Sequence, residues 1–194
     1  ITDRDLSEDL LELGNVCRTH VISYENENIY KEFISLKGRF DESDTTENFD
    51  VLDKIKNIID SFNRYSLKDN EIHFISVFAD YGAGKTTLLK RIYYEYCKKY
   101  VEEKSQLIPV YFELKLYHKF KDINLFISNS LQSQFLKNIP LSLFWKELER
   151  GKFILLLDGF DEMALQVNSE IRLKNFMELS SMFTSESISI ITCR

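Results

Sequence analysis

Apolar residues recur along this chain in two rhythms, and the change between them falls near residue 71. Ahead of it the pattern is helical and intermittent. Leu6, Leu10, Leu11 and Leu13 repeat at helical spacing, with Gly14 as a stop, and Phe49, Leu52, Ile55, Ile59 and Phe62 line one face of a helix reaching about Arg64. Between these, residues 33–40 (FISLKGRF) alternate well enough for a short strand, and residues 41–48 (DESDTTEN) form a polar, acidic surface loop. Beyond residue 71, strands alternate with helices, the signature of a parallel sheet with crossover connections. Strands are expected at 72–78, 107–114, 153–157 and 188–192. The helices between them carry Leu88, Leu89, Ile92, Tyr93, Tyr96 and Tyr100, then Ile123, Phe126, Ile127, Leu131 and Phe135, then Leu143, Phe144, Trp145 and Leu148 between Pro140 and Gly151, and last residues 170–183. The Phe and Tyr stripes read as core rather than as a cofactor box. No internal repeat or low-complexity segment is visible.

The first strand runs into Ala79-Asp80-Tyr81-Gly82-Ala83-Gly84-Lys85-Thr86-Thr87 and then into a helix. Strand, tight loop and helix are the context a phosphate-binding loop needs. Glycines at 82 and 84 remove side chains where backbone N–H groups must close around oxyanions, and the following helix aims its free donors at the same point. Asp80, Tyr81, Gly82, Ala83, Gly84, Lys85, Thr86 and Thr87 are therefore the candidate nucleotide-binding residues. Lys85 would reach the terminal phosphates and the Thr86 hydroxyl would ligate magnesium. Ala79 stands at the first position of the A/G-x-x-x-x-G-K-S/T pattern. The bland reading is a strand-turn-helix corner with an accidental Gly-Lys-Thr.

A second acidic stretch completes the candidate chemistry. In Lys152-Phe153-Ile154-Leu155-Leu156-Leu157-Asp158-Gly159-Phe160-Asp161-Glu162 a buried strand ends abruptly in Asp. Phosphoryl-transfer enzymes present a carboxylate to loop-held magnesium in this way. Three acids so close to a strand end are costly to desolvate unless a cation sits among them, which gives Asp158, Asp161 and Glu162 metal and water duties. A solvated acidic turn is the competing reading. Together the two stretches predict an α/β fold of the P-loop NTPase kind, a three-layer α/β/α sandwich with a mainly parallel sheet and a short N-terminal helical extension.

The pair ADYGAGKTT and FILLLDGFDEM resembles the NACHT NTPases of the STAND class, bacterial members above all, over roughly residues 49–194. The resemblance implies a division into an N-terminal extension or linker, 1–48, and a nucleotide-binding core, 49–194, that lacks the family's following helical pieces. It implies ATP or ADP with Mg2+ as ligands, a magnesium role for Asp158 beside Thr86, and water activation by Asp161 or Glu162. Strand 188–192 would be the family's sensor strand, lying between the loop strand and the Asp158 strand, with Arg194 near the γ-phosphate; the bland reading of Arg194 is an exposed terminal residue. Residues 30–40 would close over adenine, with Phe33, Arg39 or Phe40 in the pocket, although ordinary packing is the better explanation for each. A slow, nucleotide-gated switch for homo-oligomerisation is implied, within a larger immune or anti-phage defence protein whose effector and sensor domains lie elsewhere. A nucleotide-loaded scaffold without hydrolysis is the alternative. A GTPase or nucleoside kinase is disfavoured, because no N/T-K-x-D string and no acceptor lid appear.

Composition narrows the partners. The chain of 194 residues has 44% hydrophobic content and a net charge of −6, with a pI near 5.2, which argues against a broad basic face for nucleic acid. Lys115, Lys119 and Lys121 with Tyr117 and Phe120 read as a solvated loop. Cys17, Cys97 and Cys193 lack any CxxC spacing, so reduced thiols and a cytoplasmic protein are expected, with no membrane partner. His20, His73 and His118 have no partner at ligand spacing. The first residue is Ile1 and the last is Arg194, so both ends look cut from something longer.

Overall fold

The computed structural model describes residues 3–26, 33–39, 48–62, 72–120, 122–134, 140–165 and 168–194. Tyr30, Phe40, Arg64, Lys121, Phe135 and residues 41–47 of the acidic stretch lie outside the described residues. The elements are α1 (Asp3–Asn26), β1 (Lys37–Gly38), β2 (Phe49–Asp50), α2 (Val51–Ser61), β3 (Phe74–Phe78), α3 (Lys85–Val101), β4 (Ile108–Glu113), a 3-10 helix (Leu114–Lys119), α4 (Ile123–Gln134), α5 (Leu141–Glu149), β5 (Phe153–Asp158), α6 (Phe160–Leu165), α7 (Ser169–Ser180) and β6 (Ile188–Cys193).

Four strands form one parallel sheet in the order β3-β6-β5-β4. The last strand in sequence therefore lies between the loop strand and the acid-tipped strand, as expected. Phe153 to Leu157 and Ile188 to Thr192 are buried along their whole length, as interior strands covered on both faces are. β3, at an edge of the sheet, instead alternates between half-buried and exposed residues.

Successive residues of a strand point to opposite faces, and β4 shows what each face carries. Tyr111 meets Tyr93 of α3, with ring centroids 5.9 Å apart, whereas Phe112 meets Phe126 of α4 at 5.7 Å and Phe144 of α5 at 6.1 Å. Helices thus cover both faces of an α/β sheet, an arrangement compatible with a three-layer fold. On the far side from α4 and α5, α1 packs along α3 and places Cys17 in the common core, 1% exposed.

Three local expectations need correction. Gly14 ends no helix, since α1 runs straight through it. A Cβ there would stand 3.2 Å from the Tyr100 ring, so the glycine serves the close approach of α1 to α3. The strand expected over 33–40 shrinks to Lys37–Gly38, paired antiparallel with Phe49–Asp50, and Ile34 is 85% exposed. Alternation without a covering layer gives Ile34 nothing to pack against. Finally, the stretch after β4 is a 3-10 helix with Leu114 and Tyr117 buried, and the Tyr117 hydroxyl donates to Glu178 of α7. Lys115 and Lys119 do face solvent there.

Candidate functional site

The corner between β3 and α3 is shaped by two left-handed residues, Gly82 (φ 77°) and Gly84 (φ 91°), a region that side chains on Cβ disfavour. Gly84 is the N-cap of α3 and has no side chain to satisfy the first amides. Those amides and the positive end of the helix dipole therefore have no side-chain cap, an arrangement that can receive an anion. Lys85 begins the helix, and its Nζ folds over the corner to donate to the Ala79 and Asp80 carbonyl oxygens, the latter at 2.9 Å. Thr86 and Thr87 are exposed on the first turn.

The second wall comes from the end of β5. Asp158 is half-buried, and each of its oxygens accepts one hydrogen bond: Oδ2 from the Tyr111 hydroxyl at 2.7 Å, Oδ1 from the Thr192 hydroxyl at 2.8 Å. Thr192 in turn accepts the Gly159 N–H at 2.9 Å. Tyr111 lies opposite Leu156 in the β4-β5 register, so its ring reaches diagonally along the strand to the carboxylate. Asp161 and Glu162 follow on the first turn of α6. Asp161 Oδ2 is held by Arg194 Nε at 2.7 Å, and the Arg194 guanidinium lies 5.2 Å from the centre of the Tyr81 ring. Burial and the nearby Asp161 charge push the Cys193 thiol above its usual pKa, so it stays protonated beside the site.

These two walls face one cleft of about 370 Å³, lined by Tyr81 to Thr87, Asp158, Gly159, Asp161, Glu162, Thr192 and Arg194. Nearly every residue expected from sequence is brought together here. Asp80 is the departure: it contributes its carbonyl to Lys85 but does not line the cleft. Phe33 and Arg39 do not line this cleft either, although Arg39 lines a neighbouring pocket that includes Ala79 and Ala83 of the same corner. Arg91 approaches the Phe33 ring at 5.7 Å, and Arg39 donates to Asn48 at 3.0 Å. Tyr111 and Thr192, both hydrogen-bonded to Asp158, are the candidate site residues that the sequence does not announce. A hydroxyl inside a buried strand is the available signal for Thr192, while nothing local to Tyr111 points to a carboxylate on another strand.

A divalent ion is the implied cofactor, and the donor set fits one. A carboxylate offers about four acceptor positions, and two on Asp158 are used, so one or more remain for the cleft. With the exposed Thr86 hydroxyl this is an all-oxygen set of the kind hard cations take, magnesium completing its shell with water and phosphate oxygens. Among the described residues no cluster of three or more His, Cys, Asp or Glu side chains forms a self-sufficient metal cage.

No protein-family model matches the chain. Over 141 residues, 70% of its length, the sequence is 26% identical to an uncharacterised WD repeat-containing protein of Nostoc sp., of which that match covers 9%. The chain therefore spans a small part of the length of the curated relative it matches. Among the described residues no helix is long and apolar enough to cross a membrane.

Proposed function

We propose that the protein is an ATP-binding, magnesium-dependent NTP hydrolase module with a P-loop fold of the NACHT type. The observation that carries this reading is the convergence of the Gly82–Thr87 corner and the Asp158–Glu162 edge on one cleft, from opposite walls. The α3 amides and Lys85 bind the phosphates, with Lys85 exchanging its two loop carbonyls for phosphate oxygens. Thr86 and Asp158 would hold magnesium, which would supply charge neutralisation to the phosphate chain. Tyr111 and Thr192 fix the Asp158 carboxylate, as outer partners of metal-binding carboxylates do.

Between the two remaining acids, Glu162 is assigned to the attacking water. Asp161 is engaged by Arg194, whereas no ion pair or hydrogen bond from a described residue engages Glu162. Arg194 thereby sits beside the cleft, where a cation balances charge on the terminal phosphate. In a longer protein such a module would act as a nucleotide-dependent switch for assembly and signalling, of the immune or anti-phage class, with effector and sensor domains supplied by other segments.

A second reading, a nucleotide-loaded scaffold that does not hydrolyse, holds if Glu162 does not serve as the base, because the Arg194–Asp161 pair leaves Asp161 unsuited to replace it. An acid engaged by a guanidinium is a poor base. Titration of a fluorescent ATP analogue with magnesium, followed by a phosphate-release assay, tests both. Wild-type binding that Lys85→Ala removes, with an unchanged melting curve, supports the nucleotide site. Equal affinity in the two proteins rejects it. Measurable release by the wild type supports the hydrolase, and binding without release leaves the scaffold.

A further inference from the structure

We propose that Tyr81 is a positioning residue: its ring holds the Arg194 guanidinium ready for the outermost phosphate, so that a nucleoside triphosphate gains a contact that a diphosphate does not. On the nucleotide-binding reading above, on which this rests, the backbone around Tyr81 shapes the loop and the side chain is left without a role. Tyr81 stands just ahead of the left-handed Gly82 and is 81% exposed, so its ring is free of the core and available to a neighbour at the cleft.

Three elements meet at this side of the cleft. Arg194 follows β6, Asp161 lies on the first turn of α6, and Tyr81 belongs to the corner between β3 and α3. Asp161 Oδ2 takes the guanidinium at Nε, 2.7 Å away, and the centre of the Tyr81 ring lies 5.2 Å from the central carbon of the same group. Among the described residues no third group engages it. An ion pair at one nitrogen leaves a planar fork free to swing about that point, and a ring alongside at cation–π distance fixes where the fork rests. The Asp161 side chain is 16% exposed and that of Arg194 is 43% exposed, so the acid is the anchor and the cation is the part that opens toward the cleft it lines. A guanidinium carries five N–H donors, and those beyond Nε remain for phosphate oxygens, which such a fork takes two at a time. The α3 amides and Lys85 serve any phosphate chain seated on the corner. A cation reaching in from the acid wall adds a contact at the far end of that chain, and the loop, through Tyr81, sets its position.

Displacement of a fluorescent nucleotide from the full chain, by AMP-PNP as a triphosphate that is not hydrolysed and by ADP, each with magnesium, gives the ratio of the two affinities. Tyr81→Leu shifts that ratio against AMP-PNP about twofold to fivefold, the worth of an exposed cation–π contact, and Tyr81→Phe, which keeps the ring, restores the wild-type ratio. A purely structural disturbance of the loop weakens both nucleotides alike and leaves the ratio where it was. In an Arg194→Gln background Tyr81→Leu shifts the ratio no further, because the ring acts through the guanidinium. A ratio that Tyr81→Leu leaves unchanged or moves toward AMP-PNP overturns the role of Tyr81 while the nucleotide site stands, as does a full shift that persists in the Arg194→Gln background. Binding of neither nucleotide by the wild type removes the nucleotide site and this role together.

Discussion

The Thr192 hydroxyl donates to Asp158 Oδ1 at 2.8 Å while accepting the Gly159 N–H at 2.9 Å, so one side chain on β6 sets both the carboxylate at the end of β5 and the turn that follows it. With the Tyr111 hydroxyl on the other oxygen, Asp158 is gripped from the two strands that flank β5. A carboxylate held this way has lost its rotational freedom before any cation arrives.

Thr192→Val keeps the shape of the side chain and removes both bonds. Magnesium-dependent affinity for a fluorescent ATP analogue is expected to fall about tenfold or more, with a smaller loss for Tyr111→Phe. Metal-free nucleotide binding, which depends on Lys85 and the loop amides, should change little in either variant. Magnesium titrations at fixed nucleotide provide the check, and identical magnesium dependence in all three proteins would remove the positioning role.

Glu162→Gln is expected to reduce phosphate release by two orders of magnitude or more, with nucleotide affinity retained, since general-base groups contribute roughly 10²–10⁴-fold. Asp161→Asn instead releases Arg194 and is expected to act more on nucleotide affinity than on turnover. Single-turnover kinetics beside equilibrium binding separate the two. A larger turnover loss for Asp161→Asn would reverse the assignment.

His20 adds an acid-sensitive element away from the cleft. Burial first, and the positive charge of Lys90 second, lower its pKa from 6.5 to about 4 in the folded chain. The ring faces Tyr93 at 4.2 Å and Tyr24 at 6.0 Å. Because the folded pKa is the lower one, the unfolded chain takes up the proton first. Stability from this group is complete above about pH 6.5, declines as pH falls toward 4, and is constant below that. His20→Gln should flatten that part of the profile, a difference on the order of 2 kcal/mol at the acid end once solvent screening of a partly exposed ring is allowed for. Urea midpoints of both proteins at several pH values measure it, and parallel profiles would contradict it.

Phe112 is fully buried between Phe126 and Phe144. Phe112→Ala is expected to destabilise the fold by about 3–5 kcal/mol, through lost transfer energy and the cavity left behind. Denaturant unfolding with an unchanged slope would register this as a shift in midpoint.

Much of this architecture is legible in the residue order because its signals are local. Five consecutive apolar residues from Phe153 read as a buried strand, and β5 is one, extended by Asp158. Glycines at 82 and 84 ahead of Lys85 specify a left-handed corner and a helix start, and both are found. Signals without a neighbour mislead: alternation around Ile34 suggests a strand where no layer covers it, and Gly14 reads as a helix end although α1 continues through it with the Tyr100 ring against it.

Residue types and spacing thus determined which segments become strands, which corner can cradle an anion and which strand end carries acid. Tertiary structure alone decided that β6 slots between β3 and β5, that Tyr111 and Thr192 clamp Asp158, that Arg194 takes Asp161 and leaves Glu162 free of a described partner, and that α1 closes a polar cavity against α3. Backbone preference and hydrophobic periodicity act over a few residues and are written in order along the chain. A hydrogen bond between strands depends on register and on which strand is the neighbour, and those follow from how the whole sheet buries its surface.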